Sequence, residues 1–149
     1  MFIEPNIESI LEKLSKLDSN SKPLWGAMSA QRMVEHLTEM VNVSNGKIEL
    51  TLEIPEDRIE KMQQFLDSDK PMAKNIEVAF APKNAPLKNE ELELAIDELV
   101  EEWLNFEEYF EENPERTILH AFYGKLNYDQ WLKLHAKHFT HHFEQFGIN

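Results

Sequence analysis

Apolar residues recur every three or four positions along four stretches of the chain, which is the spacing of an amphipathic helix. The first stretch follows Asn6 and the second follows Ser29, and both residues are good N-caps. The third covers residues 89–113. The fourth opens at Asn127, where Gln130 three residues later completes a capping-box pattern. The pattern therefore predicts four main helices.

Two shorter segments alternate strictly between apolar and polar residues, which is the pattern of a half-buried strand. They are residues 48–54 and 76–80, and residues 56–66 between them have the spacing of a short helix. Prolines at positions 82 and 86 predict that a loop follows. We therefore expect an all-α fold with a small hairpin, or two extended segments, between the second and third main helices.

The length of the chain fits a single domain, residues 1–149, with a mass of 17.5 kDa. It contains no cysteine, so it has neither a disulfide nor a thiolate ligand or nucleophile of its own. Any metal must therefore be held by nitrogen or oxygen atoms. Any thiol used in its chemistry must come from another molecule.

Acidic residues outnumber basic ones by 28 to 15, and the resulting net charge of −13 repels the phosphates of nucleic acids and anionic membrane surfaces. The first residues are acidic where a secretory signal would be basic, and no apolar run approaches the ~18 residues of a membrane span. We therefore expect a cytoplasmic protein that binds neither nucleic acid nor membrane.

Four of the six histidines lie within eight residues of the last predicted helix. His138 and His142 are four apart, which places their Cβ atoms roughly 5–6 Å from each other on one face. That face is otherwise apolar, so we expect these two imidazoles to point into the core together with His135. His141 lies on the flank and is expected to be solvated. Because neutral imidazole is the commonest protein ligand for zinc and its neighbours, His138 and His142 are candidate metal ligands.

The alternative is that these histidines are ordinary core residues, since a single buried histidine is usually satisfied by hydrogen bonds. Several packed together are different. Each neutral ring needs a partner at both nitrogens and the rings cannot all satisfy one another, whereas one metal ion satisfies three. His36, at the edge of the apolar stripe on the second predicted helix, is a further candidate, and His120 and His135 are reserve ligands.

Two segments of the chain together resemble a known family. They are WGAMSAQRMVEHL at residues 25–37 and HAFYGKLNYDQWLKLHAKHFTHHFEQFG at residues 120–147, and a weaker match runs through residues 69–76. The chain resembles the DinB-like, YfiT-type superfamily of four-helix-bundle metalloenzymes, in a bacterial subfamily described as a domain of unknown function. The superfamily has a histidine on helix two and His-x-x-x-His on the last helix, commonly followed by Arg-Gly-Gln.

This resemblance implies that His36, His138 and His142 form a metal-binding triad. Residues 143–145 take the place of Arg-Gly-Gln, and only Gln145 matches. The resemblance also implies a single DinB-like domain folded as an up-down four-helix bundle, and a homodimer. The cofactor would be a divalent metal, with zinc or nickel favoured and manganese or iron also acceptable to three imidazoles.

Characterised members of the superfamily include transferases that use thiols such as bacillithiol and an isomerase that uses mycothiol. The resemblance therefore implies a metal-dependent enzyme that activates a low-molecular-weight thiol towards a small-molecule substrate. Two alternatives stay open. One is metal-assisted hydrolysis, for which Glu39, one turn from His36, is the candidate general base. The other is a non-catalytic bundle that binds a ligand or a partner chain, with a structural or empty metal site.

Overall fold

A computed structural model of the protein describes residues 1–76, 82 and 84–149. Within this part of the chain it contains five α-helices and one two-stranded antiparallel sheet. The helices are α1 (Ile7–Leu14), α2 (Ala30–Ser44), α3 (Ile59–Asp67), α4 (Leu92–Glu112) and α5 (Tyr128–Gln145). The strands are β1 (Ile118–His120) and β2 (Gly124–Leu126), and a single 3-10 turn, Glu56–Arg58, leads into α3.

Three helices begin where the sequence predicts, because their N-cap side chains bind backbone amides that have no partner within the helix. The side chains of Asn6 and Ser29 each accept a hydrogen bond from the backbone N–H three residues on, at 2.9 and 3.1 Å. At the start of α5, Asn127 and Gln130 form the predicted capping box. These caps fix the starting points of α2 and α5, the two helices that carry the candidate triad.

The long helix α4 begins at Leu92 rather than at residue 89, because the residues before it are bound elsewhere. The carboxylate of Glu35, on α2, accepts hydrogen bonds from the backbone N–H groups of Lys88 and Asn89 at 2.8 and 2.9 Å. Burial acts to raise the pKa of Glu35, but the hydrogen bonds from Lys88, Asn89 and Gln31 together outweigh it and hold that pKa below its ordinary value. The loop before α4 is thereby attached to α2.

The core lies between α2, α4 and α5. Its largest fully buried side chains include two tryptophans and several phenylalanines, which pack in edge-to-face and tilted contacts: Trp103, Phe106, Trp131, Phe139 and Phe143. The described chain is mostly helical with one small sheet, as the apolar spacing predicts. None of its helices is long and apolar enough to cross a membrane. The up-down bundle arrangement stays a prediction.

The hairpin lies at a different place from the predicted one. Residues 48–54 form no strand in the described part of the chain; instead, the backbone N–H of Glu53 donates one hydrogen bond to the carbonyl oxygen of Ala121 at 2.8 Å. Most of the second predicted strand, residues 77–80, lies outside the described residues. The hairpin that is present joins β1 to β2, between α4 and α5. Its strands have three residues each, too few to show a period of two.

Candidate metal centre

α2 and α5 bring three histidine side chains together where the two helices meet. The Nε2 atoms of His36 and His138 are 3.0 Å apart, and those of His138 and His142 are 3.1 Å apart. All three ligand atoms lie within 4.8 Å of one another. The same three residues are the triad that the resemblance implies. Two of them, His138 and His142, are four residues apart and share one face of α5, as the sequence predicts.

The surroundings of His138 keep its imidazole neutral. His36 and His142 are buried, and His138 keeps a partly exposed edge on the adjoining cavity. Burial, followed by the neighbouring imidazoles of His142 and His36, holds the pKa of His138 well below its ordinary value. A metal ion binds neutral rather than protonated imidazole. An ion that binds here therefore displaces no proton from His138.

Gln145 fixes the position of the proton on His142. Its amide nitrogen Nε2 donates to the carbonyl oxygen of Trp25 at 3.0 Å, so its amide oxygen Oε1 faces Nδ1 of His142 at 2.7 Å. An amide oxygen can only accept a hydrogen bond, so Nδ1 carries the proton of the neutral ring. Nε2, the atom facing His138, is left with a lone pair.

The two short contacts between imidazoles cannot both be hydrogen bonds while the rings are neutral. Nε2 of His142 has no proton, and Nε2 of His138 carries either one proton or one lone pair. At least one contact therefore brings two lone pairs or two N–H groups together, or leaves one N–H shared between two acceptors. Buried acceptors in that arrangement are destabilising unless a cation lies among them. The donor set fits a divalent metal ion.

Two of the three separations between the nitrogens also fit such an ion. Two imidazole nitrogens on one tetrahedral zinc lie roughly 3.3 Å apart, given Zn–N bonds of about 2.0–2.1 Å. The two short Nε2 separations of 3.0 and 3.1 Å are close to that value. Of the residues that the structure describes, no fourth histidine, aspartate or glutamate joins the group. Three protein ligands would leave a coordination position for a substrate, which is the pattern of catalytic sites.

Gly26 allows the loop before α2 to pass close to Gln145. Its φ is +75°, in the region that favours glycine, and a Cβ at this position would lie 3.0 Å from Nε2 of Gln145. The backbone N–H of Leu24 also donates to the carbonyl oxygen of Gln145 at 2.6 Å. The loop therefore holds both the backbone and the side chain of Gln145, and through it the ring of His142.

The triad lies in the wall of a cavity of about 700 Å³. This volume falls in the range of small-molecule sites, roughly 300–1,000 Å³. Most of the exposed lining is apolar, and aromatic rings supply much of it: Trp25, Phe65, Phe122, Tyr123 and Trp131. Walls of this kind exclude water and strengthen electrostatic interactions inside the cavity.

His120 and His135, the reserve ligands, line the same cavity but have other partners. Nε2 of His135 lies 2.8 Å from Oγ of Ser44, whose proton goes to the carbonyl oxygen of Val41, so the ring donates. Nδ1 of His120 accepts from the backbone N–H of Phe122 at 3.0 Å. Burial lowers the pKa of His120 to about 4 and that of His135 to about 3. Both rings are therefore neutral, and the group of three ligand atoms does not include them.

The other two residues singled out from the sequence lie apart from the triad's nitrogens. His141 is partly exposed at the cavity wall, where its ring meets that of Trp25 edge-on with 5.6 Å between centroids. Glu39 accepts a hydrogen bond from Nη2 of Arg32 at 2.9 Å and is not among the described residues that line the cavity. A role for Glu39 as general base stays a prediction without support from this geometry.

Sequence reasoning missed several residues of the site. Arg58, Lys61 and Lys70 line the cavity; the first two are three residues apart, so they share a helix face. Lys137 is not itself a lining residue, but it is buried and its Nζ donates to the carbonyl oxygens of two residues that are, Ser68 and Lys70, at 2.8 and 2.6 Å. The spacing of Arg58 and Lys61 is visible in the sequence, whereas the burial of Lys137 depends on tertiary packing.

Residues 55–149, more than half of the chain, match the family described as "Protein of unknown function (DUF1569)". The matched region contains α5 with His138 and His142, and it contains Arg58, Lys61 and Lys70; His36 lies before it. Among curated proteins and solved structures, no match to the chain was found.

Proposed function

Since the chain belongs to the DUF1569 family, whose description assigns no activity, we infer the function from the site. We propose that the protein is a divalent-metal-dependent enzyme that activates a low-molecular-weight thiol for transfer to an electrophile. The observation that carries the proposal is the cluster of three histidine ring nitrogens within 4.8 Å of one another in the wall of a small-molecule cavity. His36, His138 and His142 would hold the ion.

A divalent ion bound there would act as a Lewis acid and lower the pKa of a thiol beside it. The residues of the chain contribute binding and orientation. Gln145 keeps the proton of His142 on Nδ1, so that Nε2 keeps a lone pair with which it would bind the ion. The aromatic rings of Trp25 and Trp131 exclude water from the cavity, which protects a reactive anion from protonation.

The lining of the cavity supports a thiol over water as the nucleophile. Of the described residues that line it, none is an aspartate or a glutamate, and Glu39 is engaged by Arg32. A thiol, with a pKa of roughly 8.5, is much closer to ionisation at neutral pH than water is, so it depends less on a general base. The chain has no cysteine, so the thiol would be a cosubstrate.

The resemblance to the DinB-like superfamily supports the same proposal, because its characterised members use small thiols. It also suggests zinc or nickel as the metal, and a homodimer as the assembly. Both are part of the proposal. Light scattering at micromolar concentration should give twice the chain mass of 17.5 kDa, and a species of only that mass would reject the dimer.

The experiment that tests the function uses protein substituted with cobalt or nickel. Adding a low-molecular-weight thiol such as bacillithiol should produce charge-transfer absorption, which imidazole and water ligands do not give. The response should disappear in the His138→Ala variant, and turnover with an epoxide or a halogenated compound should disappear with it. Metal-loaded protein that ignores thiols but hydrolyses esters or amides would instead indicate a hydrolase. Protein that does neither would indicate a non-catalytic binding module.

A further inference from the structure

The charged residues that line the cavity all have the same sign. Among the described lining residues, the ionised side chains are Arg58, Lys61 and Lys70, and no acidic side chain accompanies them. The chain as a whole has nearly twice as many acidic as basic residues. The cavity is therefore a basic region on an acidic protein. Local positive potential of this kind attracts an anionic ligand.

These three cations lie at the opening of the cavity, because their side chains are exposed to solvent while His36 and His142 are buried. A fourth cation, Lys74, lies beside the wall of the cavity. Its Nζ is 4.2 Å from the centre of the ring of Trp25, which lines the cavity. The opening is thus basic and the interior holds the neutral triad.

None of these three cations forms an ion pair within the described part of the chain. The ion pairs found there involve other cations: Arg32, Lys47, Lys88 and Lys133. The acids in the same turn as the basic pair, Asp57 and Glu60, do not line the cavity.

The interior of the cavity is suited to the apolar part of a ligand. Met62 and Phe65 lie on α3 beside the basic pair, and Phe65 stacks on Tyr123 with 6.4 Å between ring centroids. Trp131 closes the cavity from α5. A ligand with charge alone, such as inorganic phosphate, would leave this surface uncovered, and a neutral ligand would leave the cations without a partner.

We propose that the cavity binds an amphipathic organic acid, with its apolar or aromatic body among the rings and its carboxylate at Arg58 and Lys61. This inference rests on the proposed function only in taking the triad's cavity as the substrate site. It names the class of molecule that reaches the triad. Among anionic groups, the paired N–H donors of Arg58 suit a planar carboxylate well.

The test compares matched acids and amides, because the two differ in charge and hardly in shape. Naphthoate with naphthamide and decanoate with decanamide are titrated against the protein, and binding is followed by calorimetry. Each acid should bind at least tenfold more tightly than its amide. In the double variant Arg58→Gln, Lys61→Gln this preference should fall about tenfold, with the amide affinity unchanged. Both positions are exposed, so the variant keeps the fold.

A control variant, Lys13→Gln with Lys16→Gln, removes the same charge from α1 and from the residues after it, away from the cavity, and should keep the full preference. The measurements are made on zinc-loaded and on chelator-treated protein, so that failure of metal binding leaves this test readable. Equal affinities for acid and amide would overturn the inference. So would a preference that survives in the double variant, since the acid would then bind elsewhere, or no binding of either acid at millimolar concentration.

Discussion

Oε1 of Gln145 lies 2.7 Å from Nδ1 of His142, three residues earlier on α5. The amide group is itself oriented by the carbonyl oxygen of Trp25, so the loop before α2 determines which nitrogen of His142 carries the proton. Groups of this kind, which hold a ligand without touching the metal, set the orientation and basicity of the imidazole.

Replacing Gln145 by methionine should weaken metal binding without removing a ligand. The methionine side chain has similar length but cannot accept the proton of His142, so the ring loses its orientation. Metal affinity should fall by about 10- to 100-fold, measured by competition with a chromogenic chelator. Glu144→Ala, at the exposed neighbouring position, should leave the affinity unchanged. Equal affinities in the two variants would show that Gln145 does not support the site.

Gly26→Ala and Gly46→Ala separate backbone strain from an effect on the site. Both glycines have positive φ, +75° and +85°, so alanine at either position should destabilise the fold by roughly 1–2 kcal/mol. Only at Gly26 would the new Cβ meet Gln145, at 3.0 Å, whereas at Gly46 the nearest side-chain atom is 3.8 Å away on Ile118.

We therefore expect denaturant titration to show similar losses of stability in the two glycine variants. The metal affinity should fall only in Gly26→Ala. If both variants bind metal as the wild type does, the close approach of the loop to Gln145 has no role in the site.

The buried neutral histidines should make the fold sensitive to acid. Burial lowers the pKa of His135 to about 3 and that of His120 to about 4, against an ordinary value of 6.5. Between these values the unfolded chain binds more protons than the folded one. The free energy of unfolding should therefore be highest above pH 6.5 and decrease as the pH falls towards 4. Each histidine adds a slope of up to about 1.4 kcal/mol per pH unit.

His135→Gln isolates one of these contributions, because glutamine can still donate to Ser44 but does not titrate. Its stability should depend less on pH than that of the wild type between pH 6.5 and about 5. Carboxylates such as Glu35, whose pKa lies below its ordinary value of 4.5, lose their contribution only at lower pH. The measurement is denaturant unfolding of chelator-treated protein, and identical slopes would contradict the expectation.

Lys137 should be important for the stability of the loop that follows α3. Its ammonium group donates to the carbonyl oxygens of Ser68 and Lys70, and burial lowers its pKa. In Lys137→Met both carbonyl groups lose a charged donor, so we expect a loss of about 2 kcal/mol in the free energy of unfolding. Lys133→Met, one turn earlier, removes only a solvent-exposed ion pair with Asp67 and should cost under about 1 kcal/mol. Equal losses in the two variants would argue against this role.

Two of the three triad residues could be predicted from local rules. A spacing of four places His138 and His142 on one face, and the caps at Ser29 and Asn127 set where their helices begin. The contribution of His36 came from a resemblance, since nothing in the residues alone shows which faces of α2 and α5 meet.

The parts that could not be predicted depend on contacts between distant segments. The alternation in residues 48–54 is typical of a strand, yet the described chain offers it no neighbouring strand: Ile48 donates to the carbonyl oxygen of Asn42 and Glu53 to that of Ala121. The start of α4 is set by Glu35, more than fifty residues away. The basic opening of the cavity requires α3 and the segment that carries Lys70 to lie against α5, which no periodicity indicates.

The most direct test of the metal centre is the metal content of the purified protein after exchange against zinc or nickel, measured by mass spectrometry together with protein concentration. We predict one divalent ion per chain in the wild type and in His141→Ala, and loss of stoichiometric binding in each of His36→Ala, His138→Ala and His142→Ala. Full occupancy in the double variant His138→Ala, His142→Ala, or no bound metal in the folded wild type, would contradict the assignment.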